Sequence, residues 1–300
     1  SRNYSNEYND IDLDSINKKH FENAKNIAYK NQQKSPVFLL SVPRSGTTLL
    51  ENILDTQPDI ITLSERSTIA DTLEYLVTKL RKNYPQDLLS LSKSEIKKLQ
   101  KVYYETANIF CESDDLLSPK SQQILIDKMP LNTLHIPLII TMFPDAKFIF
   151  PLRHPVDCVL SCFQQNFVFN SEMHFLSTLE NVTKKYIDVM QHFKRCQKAL
   201  TLDIHFIKYE QLTTNIEREC HKIFDFLGMD NIDKNFLAFD LHAKNKIIST
   251  ASVNQVNQKL YQSSVYKWKN YEKHLTKQME ELKPFIEQFG YRKLEEDLKN

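Results

Sequence analysis

Pro36–Thr48 read PVFLLSVPRSGTT, and the reading of this stretch decides the fold. Pro36 to Val42 form a short apolar run with no polar alternation, the mark of a strand buried on both faces. The run passes directly into Pro43-Arg44-Ser45-Gly46-Thr47-Thr48, after which Leu49, Leu50, Ile53 and Leu54 share a helical face. A strand–turn–helix junction of this kind is a phosphate cradle. Gly46 lets the backbone approach a ligand closely, and the N–H groups of Gly46, Thr47 and Thr48 face an anion at the helix N-terminus. The Thr47 and Thr48 hydroxyls and the Arg44 guanidinium add donors. The loop is not a Walker A motif, because Gly46 is followed by Thr47 and no glycine lies five residues upstream. It is too short to wrap a β,γ-diphosphate and suits a smaller group on a 5′-phosphate. The plain alternative is an ordinary junction with an exposed Arg44.

Further strands are expected at 124–126, 146–152 and 204–207. Helices are expected at 15–33, 68–84, 93–110, 133–142, 172–200, 210–227 and 275–289, with a stripe from Val156 to Phe167 opening after Pro155. Gly228 stands where the 210–227 helix needs its C′ residue. The tail 242–275 reads as polar and irregular. Strands alternating with helices argue an α/β fold, a parallel sheet with helices on both faces. Ligands of such sheets bind beyond the carboxyl ends of the strands. Arg44, Lys128 and Arg153 all fall at those ends.

The formal net charge is +1 over 300 residues, so no global field favours nucleic acid or a membrane surface. The five cysteines are odd in number and form no C-x-x-C pair, which suggests neither a disulfide framework nor a zinc site. Cys158 and Cys162 read as small core residues on one helix face, and a reducing, cytoplasmic setting fits. No membrane segment is visible in the sequence. The chain opens at Ser1 without an initiator Met, as a fragment of a longer protein would.

VPRSGTTLLENILDTQPDI resembles the 5′-phosphosulfate motif of the PAPS-dependent sulfotransferases. It is most similar to the tyrosylprotein sulfotransferases and to the bacterial enzymes fused to tetratricopeptide repeats. FIFPLRHPVDCVLSCF supplies the second family element, with Arg153 and Ser161, and SVNQVNQKLYQSSVYKWKNYEKHL (252–275) resembles the segment that covers the nucleotide. The resemblance covers roughly residues 36–275. It implies a P-loop-like three-layer sandwich, the sulfotransferase fold, over residues 35–300, with 1–34 as an N-terminal helical extension. An upstream repeat region and a homodimer are compatible with it.

By that resemblance Arg44, Ser45, Gly46, Thr47 and Thr48 hold the 5′-phosphosulfate. Arg153 and Ser161 hold the 3′-phosphate, Tyr209 lies near the nucleotide, and Ser252 and Lys267 belong to the covering segment. Glu65 matches the catalytic glutamate and Lys128 the matching lysine, with Arg44 and Ser252 sharing the stabilisation of charge. PAPS is then the co-substrate, 3′,5′-ADP the product, and no metal is needed. Two departures stand out. The cysteines that form a disulfide in secreted relatives are here Leu63 and Asp127, and a family arginine aligns near Gln165.

The resemblance implies a hydroxyl acceptor and leaves open a protein tyrosine, a carbohydrate or a small alcohol. Glu65 should be a partly enclosed carboxylate if it is to act as a base. Its alternative is a cap on the following helix, and that of Lys128 is a solvated residue after a strand. Arg153 could instead pair with Asp157. His135 and His154 read as structural, and Trp268 as packing. Two rival functions remain open: an ATP-dependent small-molecule kinase, for which the Walker lysine is missing, and a non-catalytic nucleotide-binding module.

Overall fold

The computed structural model describes residues 35–111, 123–165, 178–240 and 264–292. The expected 15–33 helix, Phe167, Ser252 and the first half of the covering segment lie outside these residues.

Five parallel strands form the sheet: β1 (Val37–Leu39), β2 (Ile60–Ser64), β3 (Ile124–Lys128), β4 (Lys147–Leu152) and β5 (Asp203–Lys208), in the order β2-β3-β1-β4-β5. The strand β2 is absent from the sequence reading. It sits at the sheet edge, and its partial exposure breaks the continuous apolar run that marks the inner strands. Helix α1 (Thr47–Leu54) follows β1, and α2 (Thr68–Thr78) and α3 (Lys93–Cys111) follow β2. Next come α4 (Ile136–Met142), α5 (Pro155–Phe163), α6 (Leu179–Ala199), α7 (Tyr209–Thr214), α8 (Ile216–Leu227) and α9 (Thr276–Gln288).

Several boundaries differ from expectation for local reasons. The 68–84 helix ends at Thr78. The 133–142 helix opens as a 3-10 turn, Pro130–His135, before α4. The single 210–227 helix is broken at Asn215, whose non-helical backbone (φ −144°, ψ 78°) precedes α8 and whose side chain accepts a hydrogen bond from the Arg218 N–H. Gly228 closes α8 at φ 74°, as expected. The stretch Lys267–His274, expected to be irregular, is a 3-10 helix seated by buried Trp268.

Side-chain parity divides the core. Phe38, Leu63, Leu125, Phe148 and Phe150 point to one layer, with α2 to α6 and α9. Val37, Leu39, Ile60, Ile126 and Ile149 point to the other, with α1 and α8. After β1 the chain moves to β2 and β3 on one side, then crosses to β4 on the other. Helix α1 covers one face and α5 the opposite face. The loops after β1 and β4 therefore diverge, and a crevice opens between them at the carboxyl edge. Every residue of α1 is buried, so this helix is a core element rather than an amphipathic one.

Candidate functional site

All five strands deliver a polar or aromatic residue to that edge. Arg44 follows β1, Glu65 follows β2, Lys128 ends β3, Arg153 follows β4 and Tyr209 follows β5. Arg44 (φ 69°) and Glu65 (φ 52°) both adopt left-handed backbone, rare for residues with a Cβ and typical of functional turns. Gly46 has φ 103°, and a Cβ placed there would lie 2.7 Å from Tyr209 Cδ2. The loop requires glycine for conformation and for space. Ser45 Oγ is buried without a hydrogen-bond partner among the described residues, and Thr47 and Thr48 are buried in the first turn of α1.

Arg44 and Arg153 share one locus. Arg44 Nε donates to Ser161 Oγ at 3.0 Å, and Arg153 Nη1 donates to the Arg44 carbonyl at 3.1 Å. Arg153 Nη2 donates to the Ser264 carbonyl at 2.7 Å, and its guanidinium lies 5.0 Å from the centre of the Tyr209 ring. Its Nε is buried without a partner among the described residues. Burial is the largest influence and opposes the charge on Arg153, but Asp157, Cys158, Tyr209 and Glu210 together outweigh it and leave the net shift upward. Asp157 is itself pushed up by burial, against the pull of Arg153 and the Trp268 N–H. Its Oδ1 accepts from that N–H at 2.9 Å, which pins the 267–274 helix beside Arg153. A cavity of about 190 Å³ opens here, lined by Arg153, Asp157, Ser161, Gln165, Ser264 and Lys267 among others. Lys267 Nζ donates to Gln164 Oε1 at 3.0 Å across it.

The second cluster lies at β2 and β3. Lys128 is wholly buried, so it is not the solvated lysine of the plain reading. Its ammonium lies 2.8 Å from Glu65 Oε1 and 3.0 Å from Glu51 Oε2. The Glu65 N–H donates to the Lys128 carbonyl at 2.8 Å, fixing the turn that presents the carboxylate. Glu65 does not cap α2, where Ser67 occupies the N-cap. Its side chain stays 37% exposed, more open than the enclosed carboxylate expected. Asp127 faces the opposite layer, where its Oδ2 accepts from Thr68 Oγ1 at 2.6 Å and Tyr103 OH at 2.9 Å. Burial raises its pKa to about 6, against those hydrogen bonds and nearby Lys128. Leu63 and Asp127 are register partners on β2 and β3, so the two positions that resemble the family's disulfide pair are neighbours here.

The structure thus brings together Arg44, Ser45, Gly46, Thr47, Thr48, Arg153, Ser161, Tyr209 and Lys267 around the crevice, with Glu65 and Lys128 at the same edge. His154 is fully buried and stacks on Trp268 at 5.0 Å, and His135 hydrogen-bonds Tyr84 OH at 3.1 Å. Both are packing elements. Cys158 and Cys162 are buried free thiols beneath the loop. Sequence reasoning missed Glu51. A carboxylate four residues beyond Thr47, in a segment otherwise apolar on its inner face, was the available signal.

A buried serine hydroxyl, an unpartnered guanidinium nitrogen and a cation-lined cavity fit an anionic ligand with phosphate groups. Among the described residues no helix is long and apolar enough to cross a membrane.

Residues 36–233 match the sequence model of the Sulfotransferase family. An uncharacterized protein of Aquifex aeolicus (strain VF5) is 30% identical over 274 residues, covering 88% of this chain and 33% of that protein. A protein-tyrosine sulfotransferase of Drosophila melanogaster is 27% identical over 202 residues, covering 66% of this chain and 39% of that one. The chain thus spans well under half the length of these two relatives. A mouse sulfotransferase complexed with PAP superimposes with a TM-score of 0.50 at 19% identity, covering 84% of this chain and 85% of that one.

Proposed function

The chain belongs to the sulfotransferase family, and from that membership we propose that it transfers a sulfuryl group from PAPS to a hydroxyl acceptor, residues 35–300 acting as one domain. The observation that carries this reading is the contact of Arg153 with the Arg44 carbonyl, with Arg44 in turn on Ser161, on the same rim as the Lys128–Glu65 pair. One end of the crevice grips a 5′-phosphosulfate through the Gly46–Thr48 amides and Arg44. The other grips a 3′-phosphate through Arg153 and Ser161. Lys267 supplies a further ammonium to the cavity where Gln165 carries no charge. Ser252 acts in the covering segment.

The bound donor supplies the sulfuryl group, and the protein positions and neutralises. Glu65 accepts the proton of the acceptor hydroxyl as its oxygen bonds to sulfur. The bond from sulfur to the bridging oxygen breaks, and its electron pair stays on the 5′-phosphate. Lys128 and Arg44 stabilise the charge that grows there, and 3′,5′-ADP leaves. Of the acceptor classes, a protein tyrosine draws support from the Drosophila relative's name.

Thermal stabilisation by 3′,5′-ADP together with turnover of radiolabelled PAPS on a panel of phenols, tyrosine peptides and sugars tests the proposal. Stabilisation by MgATP in preference to 3′,5′-ADP would favour the kinase. Tight 3′,5′-ADP binding with no transfer to any acceptor would favour the non-catalytic module.

A further inference from the structure

We propose that Glu51, one turn into the helix that follows the phosphate loop, is a positioning residue that holds the Lys128 ammonium at the reaction edge independently of Glu65. The proposal rests on the sulfotransfer reading for its kinetic consequence, and on geometry alone for the contact.

Lys128 is fully buried, and a buried ammonium needs a counter-charge. Among the described residues two carboxylates face it. Glu65 belongs to an exposed turn and has 37% of its side chain open, whereas Glu51 is buried in α1 with its Oε2 3.0 Å from the ammonium. Under the proposed mechanism Glu65 becomes neutral when it takes the acceptor's proton. At that moment Glu51 alone among these two still balances Lys128. The ammonium therefore stays in place while negative charge develops on the leaving phosphate.

The fold makes this arrangement rigid. Lys128 shares the parity of Ile126, so it faces α1, and Glu51 is four residues beyond Thr47 on the same side of that helix. The far end of α1 is tied to β2 by Thr62 Oγ1, which donates to Asp55 Oδ1 at 2.6 Å. One helix thus connects the phosphate loop, the lysine and the strand that presents Glu65.

The test uses the whole chain with Glu51→Gln, Glu51→Asp and Glu65→Gln, each first shown to be folded by circular dichroism. Acetylation of Lys128 by an N-hydroxysuccinimide ester is followed by mass spectrometry. Wild type and Glu65→Gln should keep Lys128 protected. Glu51→Gln should release it toward the open Glu65 turn and raise its labelling at least about tenfold, and Glu51→Asp should restore most of the protection. In parallel, Glu51→Gln should lower kcat by about tenfold to a hundredfold, the scale of losing a group that orients a reacting side chain. Its affinity for 3′,5′-ADP should stay within about twofold of wild type, a split that general destabilisation would not produce. If Glu51→Gln folds and leaves Lys128 as protected as in wild type, or if Glu65→Gln exposes Lys128 equally, the proposal is overturned. Wild type that never turns over PAPS would overturn the sulfotransfer reading instead, and the labelling result would still decide the role of Glu51.

Discussion

Replacing Arg153 with Ala should abolish the protein's ability to tell 3′,5′-ADP from 5′-AMP. Arg153 is only 7% exposed, so its contact with a phosphate is not discounted to the scale of a surface ion pair. A hydrogen bond to a charged group contributes about 1.5–3 kcal/mol. Arg153 lines the cavity and its Nε has no partner among the described residues, so an expected loss of about 2–3 kcal/mol corresponds to roughly 30- to 150-fold in Kd for 3′,5′-ADP. The affinity for 5′-AMP, gripped only at the Gly46–Thr48 end, should change by less than about threefold. The substitution also strands the carbonyls of Arg44 and Ser264, so titrations must be done well below the melting temperature. Arg153→Lys should recover only part of the affinity, because an ammonium keeps the charge but not the planar fork on Tyr209. Isothermal titration of both nucleotides against all three proteins is the assay. Equal weakening of 5′-AMP and 3′,5′-ADP would refute the assignment of Arg153 to a separate 3′-phosphate.

Three other outcomes follow from the same geometry. Glu65→Gln should lower kcat by about 10²–10⁴-fold, the range for a general base, while leaving the Kd for 3′,5′-ADP within about twofold; unchanged turnover would remove Glu65 from the proton path. Gly46→Ala should cost at least about 1–2 kcal/mol in thermal stability from φ 103° alone, with the contact to Tyr209 adding to it, and should weaken 3′,5′-ADP. A wild-type melting curve and titration would contradict the loop geometry. Asp127 binds its proton more tightly folded, at about 6, than unfolded, near 3.8. Its contribution is therefore complete below pH 3.8 and is lost as pH rises through about 6, by about 3 kcal/mol. Urea denaturation of wild type and Asp127→Asn across pH 4–7 should show that slope in wild type only, and parallel curves would contradict it.

Much of this site is legible along the chain because its chemistry is local. The turn after β1 needs glycine, hydroxyls and an arginine in consecutive positions, and β1, β3 and β4 announce themselves as apolar runs that end at or just before a cation, with β5 legible only as the short stretch Ile204 to Ile207. The edge strand β2 did not, since a half-exposed pentapeptide between a helix and a turn has no pattern of its own. With it went the reason Glu65 reaches the reaction edge, which is that β2 pairs with β3 in the register Ser64 to Lys128.

The order of residues alone determined the phosphate turn, the parallel α/β class and the identity of the charged groups, because propensity and hydrophobic period act over a few neighbours. Tertiary structure decided which of those charges meet. Arg44 and Ser161 are 117 residues apart and Lys128 and Glu65 are 63 apart. Only strand order and side-chain parity bring them within hydrogen-bonding distance. The same two factors aim Lys128 at Glu51 and its neighbour Asp127 into the opposite layer, a distinction of one residue that no local pattern carries.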